Sequence, residues 1–257
     1  MKTTICFSQS AVLLLGGILT GCGGGGSDNG TSPMDPPPAV ANIPGNNAGN
    51  SITGAYRGLA VVVPTLSTIN ANTQTLNVGG NDLNVLHVNN QALNLRPVNE
   101  NGAVITKNIR SSNGKSYEVF IVSNFDYNNS RYGYIKKGNE DFIFTQGVLT
   151  TNMPSSGVAK YSGHAAVVHH GEADDAIADF TSDFAARTLE GVIKPDDEQT
   201  FSPSSIHAKI NGNSFATPSG ASVSSAGYFY GDNAHELGGI FSDTSQQLSG
   251  SFGAIRQ

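Results

Sequence analysis

Gly227-Tyr228-Phe229-Tyr230-Gly231-Asp232-Asn233-Ala234-His235-Glu236-Leu237-Gly238-Gly239-Ile240-Phe241, followed by Leu248-Ser249-Gly250-Ser251-Phe252-Gly253-Ala254-Ile255, is the stretch that decides the fold. Tyr228 and Tyr230 alternate with Phe229, and Gly238, Ile240, Leu248, Gly250 and Phe252 keep a period of two, the spacing of strands with one buried face. Gly231, Asp232 and Asn233 accept turn conformations, so the first two strands are predicted to form a hairpin. Ser242-Asp243-Thr244-Ser245 then turns the chain into a last strand. Glycine weakens a strand unless backbones must approach closely or the sheet must bend, and a small closed barrel requires both.

Working outward, alternation predicts strands at 157–168, 176–185, 188–194, 205–211, 214–216, 222–230, 236–241 and 248–255. Eight strands make a cylinder whose interior side chains can fill. Upstream, short apolar or alternating runs at 56–64, 83–88, 92–98, 103–109, 117–122 and 141–149 are separated by Gly79-Gly80-Asn81, Asn89-Asn90, Asn99-Glu100-Asn101-Gly102 and Ser112-Asn113-Gly114. Asn-Gly and Gly-Gly steps between such runs are hairpin signals. The fold class is therefore all-β: a β-rich unit over 52–155, then an eight-stranded antiparallel β-barrel over 156–257. A helical turn is expected only around Thr65 to Asn72.

The 257 residues are 13% charged, carry a net charge of -6, and contain no tryptophan. Without a basic run, and with the wrong sign for phosphate, nothing favours nucleic acid as a partner. Met1 to Thr20 has one charge, Lys2, and an apolar run from Ala11 to Leu19 too short to span a bilayer, which reads as a signal peptide over 1–21. Leu19-Thr20-Gly21-Cys22 resembles the lipobox of bacterial lipoproteins, which implies that Cys22 carries the lipid and is the first mature residue. The alternative is a secreted soluble protein with an incidental cysteine. Cys6 leaves with the signal and Cys22 is consumed by lipid, so neither cysteine remains for a disulfide or a thiol nucleophile. Residues 22–51, rich in Gly, Pro, Asn and Ser, read as a disordered tether with a reach of roughly 30 Å. Gly23 lacks the aspartate that retains many lipoproteins at the inner membrane, so the outer membrane is the expected destination.

The closing pattern, with Gly227, Tyr230, Gly231, Glu236, Leu237, Gly238, Gly239, Phe241, Gly250, Phe252 and Gly253 in order, resembles the last strands of the β-barrel domain in transferrin-binding protein B. Heparin-binding and factor H-binding surface lipoproteins have similar barrels. Arg131-Tyr132-Gly133-Tyr134, Phe144, Gly147, Thr150 and Met153 to Gly163 are similar to the seam where a handle domain passes into that barrel. Asp179 to Ala186, with Arg187 near a basic position, resembles a further strand of the family. The resemblance implies a ligand-binding handle, a cell-surface location, and dependence on an outer-membrane translocon that recognises the barrel. It identifies a scaffold and not a ligand, because relatives bind unrelated partners.

No G-x-S-x-G, H-E-x-x-H or comparable motif is present, so the chain reads as a non-enzyme. His87 lies on the run Leu83-Val85-His87 in an apolar neighbourhood, and some handle-and-barrel relatives bind haem through the handle. His87 is thus the candidate haem ligand, against the plainer reading of an ordinary strand histidine. Arg131, Tyr132 and Tyr134, with Tyr127 and Phe125, are either ligand contacts of the kind enriched at binding hot spots or packing at the seam. His164 and His170 fall on one face of the first barrel strand and make a weak candidate metal pair. His169 falls on the other face, and His207 and His235 are isolated. The resulting expectation is a monomeric, lipid-anchored outer-membrane receptor for a host iron source: haem, a haem protein or an iron-carrier protein. The alternatives are a factor H-like host-regulator binder in immune evasion, or a surface adhesin.

Overall fold

The computed structural model describes residues 54–65, 69, 73–96, 106–107, 119–196 and 200–257. The signal segment, Cys22, the tether, most of the helical turn expected at 65–72 and most of the run 103–109 lie outside them. Among the described residues the regular structure is sixteen strands and one 3-10 turn, Asp232–Ala234. The first eight strands are β1 (Tyr56–Pro64), β2 (Thr75–Gly80), β3 (Val85–Val88), β4 (Gln91–Asn94), β5 (Thr106–Lys107), β6 (Val119–Val122), β7 (Ser130–Lys137) and β8 (Glu140–Gly147). Six of them form one antiparallel sheet in the order β2-β1-β8-β7-β6-β5, while β3 and β4 pair as a separate hairpin. Asn89 and Asn90, both in the left-handed region (φ 46° and 60°), make the two-residue turn of that hairpin.

Both faces of the six-stranded sheet are buried, and strand alternation sorts the side chains between them. Ala60, Phe120, Val122, Ile135, Phe142 and Phe144 point to one face, where they meet Leu86, Val88, Leu93 and Leu95 of and beside the hairpin. Leu59, Val61, Val63, Ile121, Tyr134 and Ile143 point to the other and meet Ala166, Val168, Ala226 and Ile240 of the barrel. This double burial explains why β6, Val119–Val122, and the middle of β8, Phe142-Ile143-Phe144, read as unbroken apolar runs.

The remaining strands are β9 (Val158–His169), β10 (Glu172–Asp183), β11 (Thr188–Lys194), β12 (Ser204–Asn211), β13 (Ser214–Ala216), β14 (Val223–Tyr230), β15 (Glu236–Asp243) and β16 (Leu248–Arg256). They form a closed antiparallel barrel, sealed where β16 pairs with β9 from Leu248↔His169 to Arg256↔Tyr161. Its lumen is filled by rings. Phe180 stacks on Phe252 at 4.7 Å, Phe215 meets Phe229 at 5.6 Å, and Phe184 meets Phe229 at 5.9 Å. Each such buried ring contributes about 1.5–3 kcal/mol relative to leaving it exposed. Gly239 on β15 leaves the space for one of them, since a Cβ there would lie 2.5 Å from Phe252 Cζ.

The two sides of the barrel differ. On β12 burial alternates strictly, and the outer face carries cross-strand rows of polar groups such as Lys160, Thr181, Glu190 and His207. Asp179 there accepts from Lys194 Nζ at 2.9 Å and from Ser162 Oγ at 3.0 Å. On β15 every residue is buried, because the six-stranded sheet covers its outer face. The expectation of strands with one buried face therefore holds for β12 and fails for β15. Period two alone cannot reveal a second layer.

One end of the barrel is closed by Asp243, which accepts from Ser204 Oγ at 2.7 Å, Ser245 Oγ at 2.6 Å and Gln246 Nε2 at 2.8 Å. Burial alone would raise its carboxyl, but the bonds from Ser245, Gln246 and Ser204 bring it below the ordinary 3.8. A carboxyl depressed on folding stabilises fully above its unfolded value and loses that contribution as pH falls through the folded one. Urea unfolding of the wild type is expected to weaken below about pH 4, and Asp243→Asn to flatten that dependence while losing about 1–3 kcal/mol at pH 7. Removal of residues 248–257, which opens two ladders at once, is expected to abolish the cooperative thermal transition seen by circular dichroism.

Candidate binding surface and its seam

The segment from Tyr127 to Arg131 ties the three layers together. Glu236, at the start of β15 and fully buried, faces the six-stranded sheet. Its Oε1 accepts from the Asn129 backbone N–H at 3.0 Å and from Asn129 Nδ2 at 2.8 Å, and its Oε2 accepts from Ser130 Oγ at 2.6 Å. Such charge-assisted bonds are about twice as strong as neutral ones. Arg131 is also buried. Its Nη1 donates to the carbonyls of Tyr127 and Ser130, and its Nε donates to Asn84 Oδ1 at 3.0 Å, beside β3. Burial lowers the affinity of this guanidinium for its proton, an effect the nearby Glu236 carboxylate opposes.

Rings cross the seam into places where the opposing backbone has no side chain. Tyr127 Oη donates to the Gly253 carbonyl at 3.0 Å. A Cβ on Gly253 would lie 2.3 Å from the Tyr132 ring, and a Cβ on Gly147 would lie 2.6 Å from the Tyr230 ring. Tyr127 and Tyr132 meet edge to face at 5.1 Å. Burial pushes both hydroxyls, and that of Tyr230, far above the ordinary tyrosine value, so all three stay protonated. Thr150 Oγ1 donates to the Gly231 carbonyl at 2.6 Å, fastening the connection between β8 and β9 to the turn after β14.

The structure thus places Arg131, Tyr132 and Tyr134 in the seam, at 5%, 2% and 3% exposure, and not on a surface a ligand could touch. His87 lies elsewhere. On β3 it is exposed between buried Leu86 and Val88, paired with exposed Ala92 and lying over Gly80 of β2. His164 and His170 do not share a face, because β9 ends at His169 and His170 occupies a left-handed turn (φ 50°). His170 Nδ1 instead bonds Gln247 Oε1 at 3.0 Å, and its ring lies 4.1 Å from that of His169. Among the described residues no group of three or more His, Cys, Asp or Glu could hold a metal.

With one face of the sheet on the barrel and the other on the β3–β4 hairpin, the exposed part of this unit among the described residues is the outer side of the hairpin and the turns beside it. Lys137 Nζ donates to Gln91 Oε1 at 2.6 Å, and Gln91 Nε2 donates to Glu140 Oε2 at 2.7 Å. The Thr65 N–H donates to the Asn139 carbonyl at 3.0 Å. These bonds hold the β3–β4 turn, the β7–β8 turn and the end of β1 together as one ordered tip. No sequence motif marks this tip, since its residues are brought together by the packing of the hairpin on the sheet.

Residues 153–256 match the family model described as the C-lobe and N-lobe beta barrels of Tf-binding protein B. They are a barrel of the transferrin-binding protein B family. The chain is 33% identical over 197 residues to an uncharacterized protein of Haemophilus influenzae, covering 67% of this chain and 66% of that one. Its fold is similar to intact Ap-TbpB with N and C lobes, at a TM-score of 0.56, 23% identity, and coverage of 78% of this chain and 46% of that one. It is likewise similar to the isotype 1 transferrin binding protein B of serogroup B Neisseria meningitidis, at a TM-score of 0.56, 24% identity, and coverage of 78% and 44%. This chain spans under half the length of those transferrin-binding protein B chains.

The glycines quoted for the transferrin-binding protein B-type pattern acquire a physical reason from the seam. A side chain at position 253 must displace a buried ring, and overpacking of that kind costs about 1–3 kcal/mol. Gly253→Ala is expected to lower stability by that amount in urea unfolding followed by tyrosine fluorescence.

Proposed function

We propose that this chain is a non-catalytic, lipid-anchored receptor on the outer membrane, capturing a host iron source through the sheet-and-hairpin unit over 52–155. The observation that carries the reading is a barrel of the transferrin-binding protein B family whose lumen is packed with rings. A filled cylinder has no room for a ligand, so recognition falls to the layers it supports. The exposed hairpin face and the ordered tip are the surfaces those layers present. His87, with Gly80 beneath it and Ala92 beside it, offers an unencumbered imidazole that suits axial ligation of haem. Arg131, Tyr132 and Tyr134 support that surface from below as packing.

In this reading Cys22 carries the acyl chains, 22–51 hold the receptor clear of the membrane, and a translocon that recognises the barrel exports it as a monomer. The acyl groups of a lipoprotein anchor more firmly than one chain, which binds only reversibly.

The test is incubation of the delipidated mature protein with hemin and, separately, with host serum. A Soret band that is lost in His87→Ala is expected if haem is the ligand, and retention of an iron- or haem-bearing serum protein if a carrier is. Neither a spectrum nor such a protein, or retention of a complement regulator instead, overturns the iron-source reading.

A further inference from the structure

The two parts of this chain stand on unequal footing. The barrel has a closed ladder and its own interior core, so its strands are satisfied without help from outside. The six-stranded sheet has no such independence. The face carrying Leu59, Val61, Ile121, Tyr134 and Ile143 is covered by the barrel wall, and without that wall it would lie open to water. An apolar face of that size does not persist on a lone soluble sheet.

We propose that the barrel is the autonomous folding core, that the six-stranded sheet holds its structure only while docked on it, and that Glu236 is the latch between them. Three donors from two consecutive residues, Asn129 just before β7 and Ser130 at its start, converge on this single carboxylate, which is fully buried. Removing the carboxylate leaves the buried Ser130 Oγ and the half-buried Asn129 N–H without an acceptor, which penalises the docked arrangement specifically. The barrel does not use Glu236 for its own closure, because the β14–β15 and β15–β16 ladders run through backbone groups. The latch also sits beside the Tyr127 ring and the Arg131 bonds, so its loss frees the segment through which the hairpin layer is fastened. A sheet held in this way is preorganised, so a ligand need not bear the cost of ordering it. The coupling does not depend on what the sheet binds.

Hydrogen exchange by mass spectrometry on the full chain tests the latch. In Glu236→Ala, amides of β6 to β8 are expected to exchange at least ten-fold faster than in the wild type, with those of β10 to β12 within two-fold. Glu236→Gln keeps the shape and one acceptor oxygen, and is expected to give a smaller change with the same asymmetry. Unchanged exchange in β6 to β8 would overturn the latch. An equal acceleration of both sets in both variants would overturn the autonomy of the barrel.

Discussion

A buried carboxylate is costly to desolvate unless its oxygens are satisfied, and among the described residues Glu236 accepts from Asn129 and Ser130, where the chain enters β7 of the opposing sheet. That requirement fixes the register between the two halves of the molecule. Sliding the sheet along the barrel by one residue would leave the charge without donors, and it would carry Tyr127 away from the Gly253 carbonyl. The apolar contacts between Ile240, Ala166 and the sheet supply area. The polar bonds determine where that area must sit.

Glycine and ring exchange places across the same surface. Tyr132 occupies the space above Gly253 of the barrel, and Tyr230 of the barrel occupies the space above Gly147 of the sheet. Each ring can approach only because a side chain is missing opposite. Inside the barrel the same device recurs between Gly239 and Phe252. The strands thus give up some intrinsic stability at glycine and regain it as close packing of large aromatic surfaces.

This construction separates buried seam residues from exposed ones. The seam consumes Arg131, Tyr132 and Tyr134, residue types that would otherwise suit a binding hot spot, and leaves the outer side of the hairpin and the turns beside it exposed. The outer wall of β9 to β12, with its exposed pairs such as Lys194 and Asp179, is simply solvated. The ordered tip around Gln91 draws on three separate stretches of chain, which makes it a product of the fold and not of any one motif.

The all-β class, the eight barrel strands and the closing order of the last three were legible in the sequence, because alternation and turn residues act over a few neighbours. The run 214–216 was recovered to the residue, and 236–241 extended by two to Asp243. What the sequence alone determined about this protein is therefore local: which segments extend, where they turn, and which family of barrel they build. Only the tertiary structure decided that β15 is buried on both faces, that His87 points outward while Tyr132 and Tyr134 are enclosed, and that Glu236 belongs to the seam. Those outcomes depend on which layers come together across more than a hundred residues of chain, and a period of two carries no record of what covers the other face.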